Sequence, residues 1–331
     1  MAQHARTASR QPLRDHPAVA AWARTGAESR PSAVEALKLC RKSATYRLAG
    51  VGSEGGSIIA KRARRETALV ERTVYAEILP EIPLSGLAFH GFLDEVDDDC
   101  CWLFLEDAGD AQPATADEVD PVRTARWLAT LHSAAADLAA TATLPDRGPD
   151  HHLERLRRLR ASIVEHFDNP AFGQGARETL DLIRGQCDLV ESRWQEIEAF
   201  CGELPRTLVH GDFVRKNLRT RPGTQDLLVF DWEFAGRAVP AVDLCASESS
   251  RVPLRVDLET YRGEVRSRWP DLDLATLERM HAMGLLFRWG IVSMEWRSYR
   301  LAYPWVDRVI ADLRVYRRRA QRGIRALGWT D

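Results

Sequence analysis

The stretch "LVHGDFVRKNLRTRPGTQDLLVFDWEFAG", Leu208 to Gly236, sets His210-Gly211-Asp212 first, then Asn217, then Asp231 after a run of apolar residues. "RTLVH" at its start and "DLLVFDW" near its end read as short strands, apolar and rich in β-formers. The residues between His210 and Leu218 are polar and carry no helical period. A strand–loop–strand hairpin would place Asp212, Asn217 and Asp231 at neighbouring strand ends, on one rim. Two carboxylates and an amide are all oxygen donors, a set that suits a hard cation such as magnesium. No His/Cys cluster points to zinc instead. One carboxylate left free of metal can accept a proton.

The rest of the chain frames this motif. Its 331 residues predict two domains. Hydrophobic content of 45% and charged content of 28% are those of a soluble globular protein. A formal net charge of -2 gives no bulk attraction to nucleic acid or to an anionic membrane. The six cysteines show no C-x-x-C spacing, and Cys100 and Cys101 are adjacent, so they read as reduced thiols of a cytoplasmic protein. Arg6, Arg10 and Arg14 precede no continuous apolar stretch, so no signal peptide is expected. No apolar run is long enough to span a bilayer.

Residues 1–32 read as an N-terminal extension, a tail or a short surface helix. From Val34, "VEALKL", "TYRLAG" and "SIIAKRA" alternate like strands, with the turn cluster "VGSEGG" before the last. "RRETALVERTVYAEIL" carries apolar residues at helical spacing, and "GLAFHGFLDE" and "CCWLFLE" are two further strands. After the acidic loop "EDAGDAQPATADEVD" the chain turns mainly helical, with Pro121 at a helix start. The expected fold class is α+β. It comprises a small antiparallel-sheet lobe at 33–106 and a larger, mainly helical lobe at 107–331.

H-G-D-x-x-x-x-N followed by an apolar strand ending in Asp resembles the aminoglycoside phosphotransferase and choline kinase family, relatives of the protein kinases. The resemblance extends from about Val34 to the last helices. It implies a two-lobed, protein-kinase-like fold and phosphoryl transfer from ATP with magnesium. In that chemistry one Asp receives the proton of the attacking hydroxyl, while an Asn and a second Asp hold the metal against the phosphates. Asp212 would then be the base, and Asn217 and Asp231 the magnesium ligands. "AVPAVDLC" resembles the segment in which Asp243 would be a buried acid bracing the catalytic loop, and "WLATLHSAA" the first large-lobe helix.

The small lobe should supply a lysine for the nucleotide phosphates. Lys61 ends the apolar strand "SIIAK", and burying it there demands an anionic partner. Glu71 is the expected partner, with Glu66 as the alternative. "GVGSEGGS" is the turn between the second and third strands, so the phosphates should meet the earlier turn "CRKSA", with Ser43, Lys42 and Arg41 as donors. "WLFLEDAGD" resembles the interlobe hinge, where adenine would meet backbone atoms around Phe104–Glu106. Trp102 and His132 read as core. Asp231 is followed by Trp-Glu rather than Phe-Gly, so a loop-phosphorylation switch is not expected.

The acceptor is far less legible. "RVYRRRAQRGIR" is a basic helix face, and arginines in reach of the acceptor would favour an anionic or neutral one. Trp289, Trp296, Tyr299 and Trp305 are expected in the core, one or two lining an acceptor pocket. The leading expectation is an O-kinase acting on the hydroxyl of a small molecule (antibiotic, sugar, nucleoside or amino alcohol), in antibiotic resistance or natural-product biosynthesis. The alternatives are a kinase for Ser/Thr of a ribosomal peptide precursor, with a partner protein, and a nucleotide-binding pseudokinase. Neither nucleic acid nor membrane is an expected partner.

Overall fold

Strand alternation from Val34 to Glu106 builds one antiparallel sheet. The computed structural model of the chain describes residues 7–8, 13–40, 43–95, 98–109, 120–221, 223–224, 226–245, 254–303 and 305–329. The strands are β1 (Thr7–Ala8), β2 (Ala33–Cys40), β3 (Ser43–Ala49), β4 (Ser57–Arg64), β5 (Phe89–Glu95) and β6 (Cys100–Glu106), in the order β1-β2-β3-β4-β6-β5. Helix α1 (Pro17–Arg24) starts on Pro17, and His16 Nδ1 accepts from the Ala18 N–H at 3.2 Å. Ala18, Ala21 and Trp22 pack with Leu48, Ile58, Ala60, Trp102 and Phe104 into one core. The short helix expected on the surface is therefore part of the sheet's hydrophobic cover, because its three apolar residues fall on one face.

Helix α2 (Arg65–Thr73) follows β4 directly and continues into a π-helical turn, Val74–Ile78. Ala68, Glu71, Tyr75 and Ile78 repeat at helical spacing and are buried. A glutamate thus occupies a core position of an amphipathic helix.

By internal packing the chain divides into two compact units: Met1–Glu118 with Leu138–Leu144 and Val214–Ala235, and Val119–Asp137 with Pro145–Phe213 and Gly236–Asp331. The first unit therefore holds the sheet together with a hairpin far downstream in sequence. In that hairpin β8 (Leu218–Thr220) pairs with β9 (Leu227–Val229). The second unit holds α3 (Pro121–Ala135), α4 (Pro149–His166), α5 (Gln174–Ser192), α6 (Trp194–Gly202) and the strand β7 (Thr207–Val209), which pairs with β10 (Gly236–Ala238). It continues with α7 (Ala241–Leu244), α8 (Leu258–Val265), α9 (Leu274–Leu285), a π-helical stretch Leu286–Ser293, α10 (Met294–Ser298) and α11 (Val306–Ala326).

Two expectations change here. The strand "DLLVFDW" pairs with "LRT" and not with "RTLVH", because Arg221–Asp226 closes a tight turn between β8 and β9. Among the aromatic residues expected in the core, Trp289 is buried, but Trp296, Tyr299 and Trp305 are more than half exposed. On α11 the apolar face (Val306, Val309, Ile310, Leu313) is buried as its spacing predicts. All six cysteines are free thiols. Among the described residues no helix is long and apolar enough to cross a membrane.

Helix α9 packs against α7 through Gly284. A Cβ there would overlap the Ala241 carbonyl oxygen and sit 2.7 Å from its carbon. Neither backbone can yield cheaply, so Gly284→Ala is expected to destabilise the protein by about 3 kcal/mol. A urea unfolding midpoint equal to wild type would contradict this packing.

Candidate active site

The first unit gathers charge at the end of the β8–β9 hairpin. Asn217 closes a single 3-10 turn (Arg215–Asn217) just before β8, and its carbonyl accepts from the Phe230 N–H at 3.1 Å. That bond, one step past the Leu218–Val229 pair, fixes Asn217 and Asp231 at the same end of the hairpin. Asp231 adopts φ 69°, in the left-handed region that only Gly, Asn and Asp visit readily. Such strain persists where the surroundings over-determine a residue.

What holds it is Lys61. Its Nζ donates to Glu71 Oε1 at 2.6 Å and to Asp231 Oδ1 at 2.5 Å. Lys61 lies mid-strand in β4, paired with Thr45 on one side and Leu103 on the other, and it is buried. Glu71 has no exposed surface, whereas the alternative partner Glu66 is exposed. Further bonds bind the hairpin to the sheet unit. Arg221 grips Glu106 with two hydrogen bonds of 2.6 and 3.0 Å, and Ser85 donates to Asp226 at 2.6 Å.

Glu233, two residues beyond Asp231, completes an acidic group. One carboxylate oxygen from each of Glu71, Asp231 and Glu233 lies within 4.8 Å of the others. Three carboxylates meet the Lys61 ammonium, and the charges of Lys38 and Lys216 also act on Asp231 and Glu233. Burial raises the Glu71 carboxyl to about 7 despite the opposing charge of Lys61. Burial also raises Glu233, with Asp231 adding to the shift. Burial would raise Asp231 too, but the charge and hydrogen bond of Lys61 override it and hold Asp231 below the usual carboxylate range. Burial works against the Lys61 charge, and Glu71 and Asp231 outweigh it, so the ammonium stays protonated. The Glu71 Oε2 is buried without a partner. Oxygen donors only and an unmet acceptor fit a hard divalent cation.

The second unit holds Asp212. Residue Gly211 has φ 77°, which turns the chain sharply after β7. Asp243, fully buried on α7, accepts from the His210 N–H at 2.7 Å and the Gly211 N–H at 3.0 Å. His132 lies 3.3 Å from the same carboxylate through Nε2, and 2.9 Å from the Tyr261 hydroxyl through Nδ1. Burial alone would raise Asp243, and these hydrogen bonds outweigh it, so it stays ionised. The Asp212 N–H donates to His210 Nδ1 at 3.2 Å, and its carboxylate accepts from Arg288 Nη2 at 2.9 Å.

The remaining expected residues divide. Trp102 and His132 are buried, as expected. Ser43 opens β3, its Oγ 3.1 Å from Cys40 Sγ, while Lys42 and Arg41 lie outside the described residues. At the expected hinge, Phe104 is fully buried in β6 between two neighbouring strands, and the Glu106 N–H donates to the Ala88 carbonyl at 2.8 Å as β6 ends. Glu233 and Arg288 were not anticipated. Glu233 could have been found as an acid beside the Asp of an apolar strand. Arg288 could have been found as the one charge in the apolar run "AMGLLFRWGIV".

A model of the phosphotransferase enzyme family (APH) matches residues 43–261. The chain belongs to that family, and the expected enzyme class, an O-phosphotransferase with an alcohol as acceptor, stands with it. No curated protein matches the chain. Among solved structures it is similar to a GDP and kanamycin complex of an aminoglycoside 2''-phosphotransferase, with TM-score 0.59 and 15% identity over 89% of this chain and 95% of that one. An aminoglycoside phosphotransferase homologue from Ralstonia eutropha JMP134 gives 0.57 and 13% over 94% and 97%. Choline kinase from Cryptosporidium parvum gives 0.57 and 12% over 91% and 93%. The shared fold is kinase-like, as expected.

The Glu71 shift carries a pH consequence. Its folded value lies above its ordinary value of 4.5, so between about 4.5 and 7 the folded state keeps a proton that the unfolded chain has released. Stability from this group is complete at low pH and is lost as pH rises through about 7. In cation-free buffer the melting temperature of wild type should fall from pH 5 to pH 8 more steeply than that of Glu71→Gln. Equal slopes would exclude a proton held in this cluster.

Proposed function

We propose that the chain transfers the γ-phosphate of ATP to the hydroxyl of a small molecule, with magnesium. The observation that carries this reading is Lys61 shared between Glu71 and Asp231. A buried lysine with a helix glutamate and a strand-end aspartate is the arrangement phosphoryl transfer from a nucleotide uses. Lys61 meets the nucleotide phosphates. Ser43, at the start of β3, adds a donor together with Lys42 before it in sequence, and the backbone where β6 ends, around Phe104–Glu106, receives the base. Asn217 and Asp231 hold the metal, with Glu233 beside Asp231. When bound, magnesium neutralises charge on the phosphates.

Asp212 takes the acceptor's proton. Its place at the start of a loop held by Asp243 gives the carboxylate one fixed orientation, which proton transfer requires. The O–H bond breaks toward Asp212 as the acceptor oxygen attacks phosphorus and ADP departs. Kanamycin, bound in one similar structure, and choline, in the name of another, belong to those proteins. For this chain they define the class, a small-molecule alcohol.

Transfer from γ-labelled ATP, run against a panel of alcohols, tests the reading. Asp212→Asn should lower turnover by roughly 10²–10⁴ and leave nucleotide affinity largely intact. Undiminished turnover would remove Asp212 from the role of base. Asp231→Asn should instead weaken nucleotide binding and raise the magnesium concentration needed for half-maximal rate. A magnesium response like that of wild type would remove Asp231 as a ligand. Label on Ser/Thr peptides alone would replace the small molecule by a peptide acceptor.

A further inference from the structure

Arg288 is a buried charged residue that touches the proposed base and has no role in the transfer itself. It sits in the π-helical stretch Leu286–Ser293 and is buried, with 6% exposure. π-Helical turns occur often at functional sites, because the extra residue re-aims a side chain. One terminal nitrogen, Nη2, binds Asp212 at 2.9 Å. The other, Nη1, is buried with no hydrogen-bond partner. A guanidinium stays protonated, and buried donors in native proteins are nearly always met. Arg288 therefore has one donor committed to the proposed base and one waiting for an acceptor atom.

Charge points the same way. Arg288 lies 5.4 Å from the Trp289 ring centre, and Arg319 of α11 covers the same ring at 4.2 Å. A polycationic alcohol needs bare carboxylates, whereas here the carboxylate of Asp212 is neutralised by Arg288 and a second cation stands beside Trp289. We propose that the acceptor is a hydroxy acid, whose carboxylate binds Arg288 while its hydroxyl faces Asp212. This rests on the phosphotransferase reading above. A monoanion fits better than a phosphate by simple count. Once Asp212 has taken the hydroxyl proton it is neutral, and the single charge on Arg288 is balanced by a single negative charge. Arg288 is then a specificity-determining residue, binding the acceptor through a group that does not react.

The test uses the full chain, magnesium, γ-labelled ATP and matched acceptor pairs differing only in the anionic group. These are N-acetyl-L-serine, glycerate and 3-hydroxybutyrate, each against its amide, with kanamycin and choline alongside. At least one acid should be labelled with kcat/KM about 10- to 100-fold above its amide, the range of a charge-assisted hydrogen bond. In Arg288→Gln that ratio should fall to within about threefold, chiefly through KM, and Arg288→Lys should restore part of it. Where Arg288→Gln fails to fold, Arg288→Lys carries the comparison, since it keeps the charge and loses the planar fork. Three results overturn the inference and leave the phosphotransferase reading standing. They are equal use of acid and amide, label on kanamycin or choline with none on an acid, and ATP hydrolysis with no acid labelled. A chain that neither binds nor hydrolyses ATP fails the phosphotransferase reading itself, and the inference with it.

Discussion

A lysine cannot stay charged inside a sheet without anions beside it. Lys61 is mid-strand in β4 and buried, so its ammonium must be met from outside the strand. Glu71 meets it from α2 and Asp231 from the hairpin β8–β9. This one requirement explains why a glutamate occupies the apolar stripe of α2, and why Asp231 is kept in the left-handed region. It also explains why residues 214–235, remote in sequence from the sheet, pack with the sheet's own unit. Breaking a buried pair of this kind by removing one partner leaves a stranded charge and costs about 3–5 kcal/mol. The cluster is therefore held by the same electrostatics that would be redirected toward phosphates and a cation.

Asp212 depends on a different core. The boundary between the two units falls between Phe213 and Val214, so the motif His210–Asn217 is divided. Its first half is fixed by Asp243, which, fully buried, gathers two backbone N–H groups and His132. Asp243 in turn sits on a four-residue helix, α7, too short to be stable alone. Its position comes from α9, and contact that close is possible only because residue 284 has no side chain. A glycine far from the chemistry thus sets where a loop carboxylate can stand.

These facts were unequally legible in the sequence. The Lys61–Glu71 pair could be read because a buried lysine needs an anion, and Asp212, Asn217 and Asp231 could be singled out as candidates because their types and spacing sit in one short segment. The strands β2 to β6 could be found because alternation is local. Pairing is not local: "TLV" and "LLV" look like partners in the sequence, yet each takes another three-residue strand that propensity barely marks. The Glu106 side chain serves Arg221, which stands 115 residues later and which no local pattern links to it. The aromatic residues from Trp296 to Trp305 show the same limit. Hydrophobicity predicts burial on average, and roughly half of any protein surface is still apolar. Exposure at Trp296, Tyr299 and Trp305 follows from where α10 ends and α11 begins, which no local pattern records.

Arg288 belongs to a third kind of residue, visible in the sequence but without meaning until its partner is known. A lone arginine in an apolar run announces only that something anionic must meet it. That the partner is Asp212 changes the electrostatics of the proposed base, because a carboxylate beside a fixed guanidinium is a weaker attractor for cations and a more ordered acceptor for a proton. Under the proposed reading, Lys61, Asn217 and Asp231 would be held to a narrow set of types, since phosphates and metal are the same whatever the acceptor. The acceptor side carries no such constraint. Specificity there is free to rest on a residue outside the motif, from a helix that contributes nothing else to the transfer. The buried, half-used guanidinium of Arg288 is the kind of residue in which such a choice is made.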